Sequence, residues 1–265
     1  MLKGFREIVK MYDSFIFDLW GVLYEGGPIF EDALDVLIRL NSLNKTVVLI
    51  SNSPYSNRGC ANNLQRYGLK KELYKSVFTA GDLCKDYIKR SYKSPQNFYV
   101  IDSYYWDTWE NINTYHKISE NIEEADAILC LAIPKNIKTL ENIQSQYDHV
   151  FSKAIACNLP FLCANPDIFA PSSKKLQIRP GLMSMHYQQL GGRVLNFGKP
   201  FSKIFTESLK LLGNPKRVLM TGDTGYTDIN GALNQKIDSL LITKSYGDSQ
   251  IFTSKANYFS PILKW

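Results

Sequence analysis

The sequence holds no Cys-x-x-Cys pair, no run of five like charges and no uninterrupted apolar stretch near membrane-spanning length, and each absence removes a class of protein. Cys60, Cys84, Cys130, Cys157 and Cys163 are odd in number and scattered, whereas disulfide frameworks and structural zinc sites need tighter arithmetic. Cys130 and Cys163 lie in apolar runs and read as small core residues. The three histidines, His116, His149 and His186, match no catalytic spacing and are expected to be structural. Lys+Arg 31 against Asp+Glu 25 gives a net charge of +6, but the densest knots are only Lys70-Lys71 and Lys174-Lys175. Dispersed charge of that kind excludes a nucleic-acid arm and is compatible with an anionic substrate. A membrane span would need ~18 or more consecutive apolar residues. The basic start is followed by an apolar stretch broken at Asp13 and Asp18, which fits no signal peptide. The expectation is a soluble, cytoplasmic protein with no nucleic-acid and no membrane partner.

What is present is a chain of 265 residues, 45% hydrophobic and 13% aromatic, able to fill a sizeable core. Short apolar runs alternate with stretches of helical spacing. Ser14-Phe15-Ile16-Phe17 and Thr46-Val47-Val48-Leu49-Ile50 read as buried strands, and Ala33-Leu34, Leu37-Ile38 and Leu40 as one helix face. A helix from about Asn57 stops at Gly68, and Val77 to Ala80 is a third strand. The polar stretch Ser91–Gln96, with Pro95, reads as a hinge, and a second break falls near Pro171-Ser172-Ser173-Lys174-Lys175. Between them lie strand-like runs at 98–101, 127–131 and 161–164 and a helix over 137–147. The first pattern then resumes, with helices at 182–190, 203–212 and 228–233 and strands at 194–197, 217–220 and 239–242. The alternation predicts an α/β fold, a doubly wound parallel sheet with an inserted smaller α/β domain. The core is placed at 1–90 and 178–265 and the insert at 91–177.

The chemistry falls at the strand ends, the edge where open α/β sheets bind ligands. Asp18 ends the first strand, Ser51 the second, Lys199 follows Phe197-Gly198, Asp223 ends Val218-Leu219-Met220, and Asp228 opens the next helix. A single Asp at such a place is more often a helix cap than a catalyst. Together, three carboxylates, a lysine and a hydroxyl make a site for a hard divalent cation and a phosphoryl group.

These residues, in this order, resemble the haloacid dehalogenase-like (HAD) hydrolase superfamily, and the insert makes the chain look like its class IIA. That branch includes 4-nitrophenyl phosphatase-like, phosphoglycolate and pyridoxal-phosphate phosphatases. Asp18-Leu19-Trp20-Gly21-Val22 is similar to the first motif of a bacterial group that carries tryptophan at this place. The resemblance implies a Rossmann-like HAD core with a cap domain, in which Asp18 attacks phosphorus to form an aspartyl-phosphate. It implies that Ser51 hydrogen-bonds a phosphoryl oxygen and that Lys199, in Gly198-Lys199-Pro200, neutralises charge. It also implies Mg²⁺ held by Asp18, the backbone carbonyl of Trp20 and Asp223, with Asp228 in support. Trp20, Asn52, Asn165 and Asp167 would line the substrate, the last two within Cys163-Ala164-Asn165-Pro166-Asp167, which is similar to a class IIA cap loop. An Asx turn is the alternative role for that loop. The implied substrate is a small phosphorylated metabolite or aryl phosphate, and the implied assembly is a homodimer paired through the caps.

The pattern breaks at Trp20, which stands where the family's acid/base aspartate belongs. An indole neither protonates an alkoxide nor takes a proton from water. General acid–base help is typically worth ~10²–10⁴-fold, about 3–6 kcal/mol of barrier. The expected activity is therefore a weak phosphatase favouring leaving groups of low pKa. Glu25, in the turn after the first strand, is a conceivable replacement acid but reads as a solvated loop residue. Two other readings stay open: a phosphate-ligand-binding protein with lost or residual catalysis, and a haloacid-type dehalogenase. Dehalogenases of this superfamily also carry an aromatic residue two places after the nucleophile, but they have no use for the clustered Asp223 and Asp228.

Overall fold

The computed structural model describes residues 1–109, 111–172, 175–244 and 255–265. In chain order they form β1 (Ser14–Asp18), α1 (Glu31–Ser42), β2 (Thr46–Ser51), α2 (Asn57–Arg66), β3 (Ser76–Thr79) and α3 (Ala80–Ser91). Next come β4 (Asn97–Ile101), β5 (Lys117–Ile118), β6 (Ala127–Cys130), α4 (Leu140–Ala156), β7 (Phe161–Cys163), β8 (Phe169–Ser172), β9 (Lys175–Ile178) and α5 (Pro180–Gln189). The chain ends with β10 (Val194–Asn196), α6 (Ser202–Leu211), β11 (Val218–Gly222), α7 (Asn230–Asn234), β12 (Asp238–Ile242) and β13 (Tyr258–Ser260). The protein is an α/β fold with parallel sheets, as expected.

Two compact units result, one from Met1–Ser51, Asn57–Phe78 and Lys199–Trp265, the other from Asn52–Ser56 and Thr79–Gly198. The first is built on a sheet of order β13-β12-β11-β1-β2-β3. β1 pairs in parallel with β11 on one side and β2 on the other, and β12 and β13 extend the parallel run. Every residue of β1 and β11 is buried. That is why these strands read as unbroken apolar runs and not as alternation: a parallel sheet is covered on both faces. α1 turns Ala33, Val36, Leu37 and Leu40 inward, one stripe at helical spacing. Strand order reverses at β1, so the crevice outside its carboxyl end is where this topology seats a ligand.

The second unit is built on the sheet β10-β7-β6-β4-β5, in which every neighbouring pair is parallel. Strand alternation divides its core in two. Ile128, Cys130, Phe161 and Cys163 pack on one face with Phe151 and Tyr187, while Ala127, Leu129 and Leu162 pack on the other with Phe98, Trp106 and Trp109. Cys130 and Cys163 are thus core residues, as their runs suggested. The segment Asn52–Ser56 is tied to this unit by hydrogen bonds. Trp109 Nε1 donates to the Pro54 carbonyl at 2.8 Å, Thr79 Oγ1 to that of Tyr55 at 2.6 Å, and the Gly81 amide to that of Ser53 at 3.0 Å.

The second unit is wider than the expected insert of 91–177. α3 precedes that range, and α5 and β10 follow it, yet all three belong to this unit. The reason is long-range pairing: β10 lies in parallel register on β7, Val194 opposite Phe161, and Leu182, Met183 and Tyr187 of α5 fill the core beneath. The expected break at Pro171–Lys175 falls where β8 pairs antiparallel with β9, and Ser173 and Lys174 between them lie outside the described residues. The helix expected over 137–147 starts later and runs longer, as α4, because the Thr139 side chain accepts the Asn142 amide and fixes the start there. No helix among the described residues is long and apolar enough to cross a membrane.

Candidate active site

Four of the residues singled out in the sequence meet in the first unit. Asp18 is the last residue of β1, and Asp223 follows β11, the strand paired beside it. Asp228 lies in a π-helical turn, Gly225–Ile229, that leads into α7. Lys199 Nζ donates to Asp18 Oδ1 at 2.5 Å and to Asp228 Oδ1 at 2.7 Å. Asp18, Asp223 and Asp228 each offer one carboxylate oxygen, and these oxygens lie within 4.8 Å of one another. All four side chains are buried, Asp228 completely.

Burial without water makes this arrangement electrostatically costly. Removal from water pushes the Asp18 carboxyl up to about 7, with Asp228's charge adding to the rise and Lys199 opposing it. Asp223 is pushed well above the usual carboxylate range, first by burial and then by the charges of Asp18 and Asp228. Three carboxylates facing one ammonium leave two negative charges uncompensated when all are ionised. A hard divalent cation bound through oxygen would supply that balance, so the donor set fits such an ion. Asp228 has both oxygens engaged, Oδ1 by Lys199 and Oδ2 by the Thr224 amide at 3.0 Å. It therefore orients the lysine and the turn, while Asp18 and Asp223 flank it.

Ser51 ends β2 and is buried. It stands one residue past Ile50, the register partner of Asp18, and so at the same carboxyl edge. Trp20 sits in the turn after β1, its ring edge-on to Tyr24 at 5.8 Å and packed over Gly26, where an added Cβ would come within 3.2 Å of it. The turn hydrogen bonds around Trp20 use the carbonyls of Leu19 and Tyr24 and leave its own aside. Its Nε1 is buried and finds no partner among the described residues. Glu25 in the same turn is exposed.

The other expected residues gather in the second unit. Asn52 Nδ2 donates to Asp167 Oδ1 at 2.7 Å, and Asn165 Oδ1 accepts the Asp167 amide at 3.2 Å. The Asx turn is thus real and engages the Asn165 side chain, while Asp167 keeps its carboxylate for Asn52. Gly198, at φ +108°, leaves room for that pair, since a Cβ there would collide with Asn52 Oδ1. Two of the three histidines hold structural contacts: His116 Nδ1 accepts the Gln96 amide at 3.1 Å, and His186 Nε2 lies 2.6 Å from Asp148 Oδ1.

One residue at the site escapes the strand-end argument. Thr224 donates its hydroxyl to Asp223 Oδ1 at 2.9 Å and its amide to Asp228. The available signal was its position, a threonine between two acids at the mouth of a helical turn.

Comparison with known proteins follows this geometry. A model described as haloacid dehalogenase-like hydrolase matches residues 15–111, and a HAD-hydrolase-like model matches 196–256, so the two segments bracket Asp18 and Ser51 and then Lys199, Asp223 and Asp228. The chain is 23% identical to a 4-nitrophenylphosphatase of Schizosaccharomyces pombe, over 91% of this chain and 86% of that protein. It is 27% identical to a 5'-nucleotidase of Bacillus subtilis, over 88% of each. Among solved structures, a haloacid dehalogenase-like family hydrolase from Brucella suis superposes with a TM-score of 0.86 at 25% identity, covering 99% of this chain and 100% of that one.

Proposed function

The chain belongs to the haloacid dehalogenase-like hydrolases, and from that premise we propose that it is a magnesium-dependent phosphatase of small phosphate monoesters. The observation that carries this reading is the bridge from Lys199 to both Asp18 and Asp228, with Asp223 completing a carboxylate triad. Its relatives named for phosphatase and nucleotidase activity support phosphate monoesters as the substrate class.

Asp18 is the nucleophile. One of its oxygens forms the bond to phosphorus as the bond to the leaving oxygen breaks, and water later cleaves the aspartyl-phosphate. Lys199 fixes the carboxylate and offsets charge on the oxygens around it. Ser51 donates its hydroxyl to a phosphoryl oxygen. Asp18, the Trp20 carbonyl and Asp223, with Asp228 in support, would hold Mg²⁺, which would supply charge neutralisation to the phosphoryl group. Asn52 and Asp167 contribute to binding the rest of the substrate.

Trp20 sets the limit on this chemistry. With no proton to give, it confines efficient attack to leaving groups that depart as anions, such as aryl and acyl phosphates. The same feature supports a second reading, a protein that binds phosphate ligands and turns them over little. The dehalogenase reading leaves Asp223 and Asp228 without a use, since buried carboxylates repel one another unless a cation joins them.

The test is turnover of 4-nitrophenyl phosphate with Mg²⁺. Wild type is expected to hydrolyse it, and Asp18→Asn and an added chelator to bring turnover to background. Turnover unchanged in Asp18→Asn overturns the assignment. Calorimetric binding of inorganic phosphate with no detectable turnover replaces the phosphatase with the binding protein.

A further inference from the structure

Thr224 stands between the two acids of the cluster and touches both. Its backbone is extended, φ −117° and ψ 118°, at the N-cap position of the π-helical turn. A threonine there ordinarily accepts an amide from the first turn with its hydroxyl oxygen. Here it makes no such cap bond. The hydroxyl instead donates to Asp223 Oδ1 at 2.9 Å. Asp228 takes over the local role, its Oδ2 accepting the Thr224 amide at 3.0 Å.

The geometry has a consequence for ligation. Fixing one oxygen of a carboxylate fixes its plane, and with it the direction of the second oxygen. Thr224 therefore sets the plane of Asp223 through its side chain and that of Asp228 through its backbone. Lys199 reaches Asp18 and Asp228. The hydroxyl of Thr224 holds Asp223 by its Oδ1.

We propose that Thr224 is a positioning residue for a divalent cation, aligning Asp223 by a hydroxyl withheld from its usual capping bond. The inference rests on the cation-binding reading above, and the experiment separates the two. Outer partners of ligating carboxylates are typically worth ~10–100-fold in metal affinity.

Mg²⁺ affinity of the full chain is measured by calorimetry, together with thermal melting of the cation-free protein. Thr224→Val keeps the shape and removes the donor, while Thr224→Ser keeps the donor. The expected result is Mg²⁺ affinity ~10-fold or more weaker in Thr224→Val, restored to near wild type in Thr224→Ser, with the cation-free melting temperatures of all three close together. Asp223→Asn serves as the reference. If it abolishes Mg²⁺ binding while Thr224→Val binds as wild type does, the positioning role falls and the cation site stands. If Asp223→Asn binds Mg²⁺ unchanged, both fall. Equal weakening in Thr224→Ser and Thr224→Val also overturns the proposal, because the hydroxyl would then not be the group that matters.

Discussion

Gly222 and Asp228 are packed so closely that the backbone of one occupies the space beside the side chain of the other: a Cβ on Gly222 would collide with the Asp228 Cβ and carboxyl carbon. The close approach lets the π-helical turn fold Asp228 back beneath the end of β11 to reach Lys199.

Gly222→Ala is therefore expected to displace Asp228 from Lys199 and to cost ~1–3 kcal/mol of stability, the range for overpacking a filled interior. Urea denaturation measures the loss, and Mg²⁺ titration should show weakened binding. Gly27→Ala is the matched control, because a Cβ there meets nothing within 4 Å. Equal stability of the two variants would contradict the packing argument.

Lys199→Met removes the ammonium from two buried carboxylates. Breaking a buried pair by deleting one partner typically costs ~3–5 kcal/mol. Asp18 is already raised by burial, and Lys199 is the group that lowers it. Without the lysine Asp18 holds its proton to higher pH, so the variant's deficit should be smaller near pH 5 and larger near pH 8. Denaturation at the two pH values checks this, and a deficit independent of pH counts against it.

The cation-free protein should lose stability as pH rises from about 4 toward 7. Asp18, raised by burial to about 7, and Asp223, raised in the same direction, hold protons in the folded state that they release when unfolded. The native state thus binds more protons in that window, and stability falls as pH climbs through it. A divalent cation competes with those protons. The rise in melting temperature on adding Mg²⁺ should be small at pH 5 and grow to pH 8; equal rises would show that these carboxylates do not hold the ion.

Trp20→Asp puts a proton donor at the place where the proposed mechanism lacks one. Its half-buried ring packs on Tyr24 and over Gly26. Deleting a fully buried tryptophan side chain costs ~3–5 kcal/mol, and a half-buried carboxyl in its place adds a desolvation cost of its own. The expected gain is in leaving-group tolerance: the ratio of kcat/KM for an alkyl phosphate to that for an aryl phosphate should rise, by up to ~10²-fold or more. A folded variant with an unchanged ratio would show that missing acid catalysis does not set the preference.

Asp18, Ser51 and Asp223 were legible because each closes or follows a buried, strongly apolar strand. Phe15-Ile16-Phe17 and Val218-Leu219-Met220 announce β1 and β11, and a parallel sheet puts Asp18 and Asp223 on one edge without further information. The extent of the second unit was not legible. Val194–Asn196 is three residues long, and only its pairing with Phe161–Cys163, some thirty positions earlier, decides which sheet it joins. The β8–β9 pairing read as a break because proline and a polar run punctuate it. Thr224 was passed over for a different reason. Its importance lies in which acceptor its hydroxyl chooses, and composition and periodicity do not record that choice.

The chain crosses between the two units four times, the first crossing immediately after Ser51 and the last immediately before Lys199. Any attempt to excise the second unit must therefore suture the backbone at a reactive group. A shortened protein would carry its lysine on a fresh junction, with Gly198 no longer setting the approach. Within this architecture, length variation is expected inside 79–198, with the seams themselves kept intact.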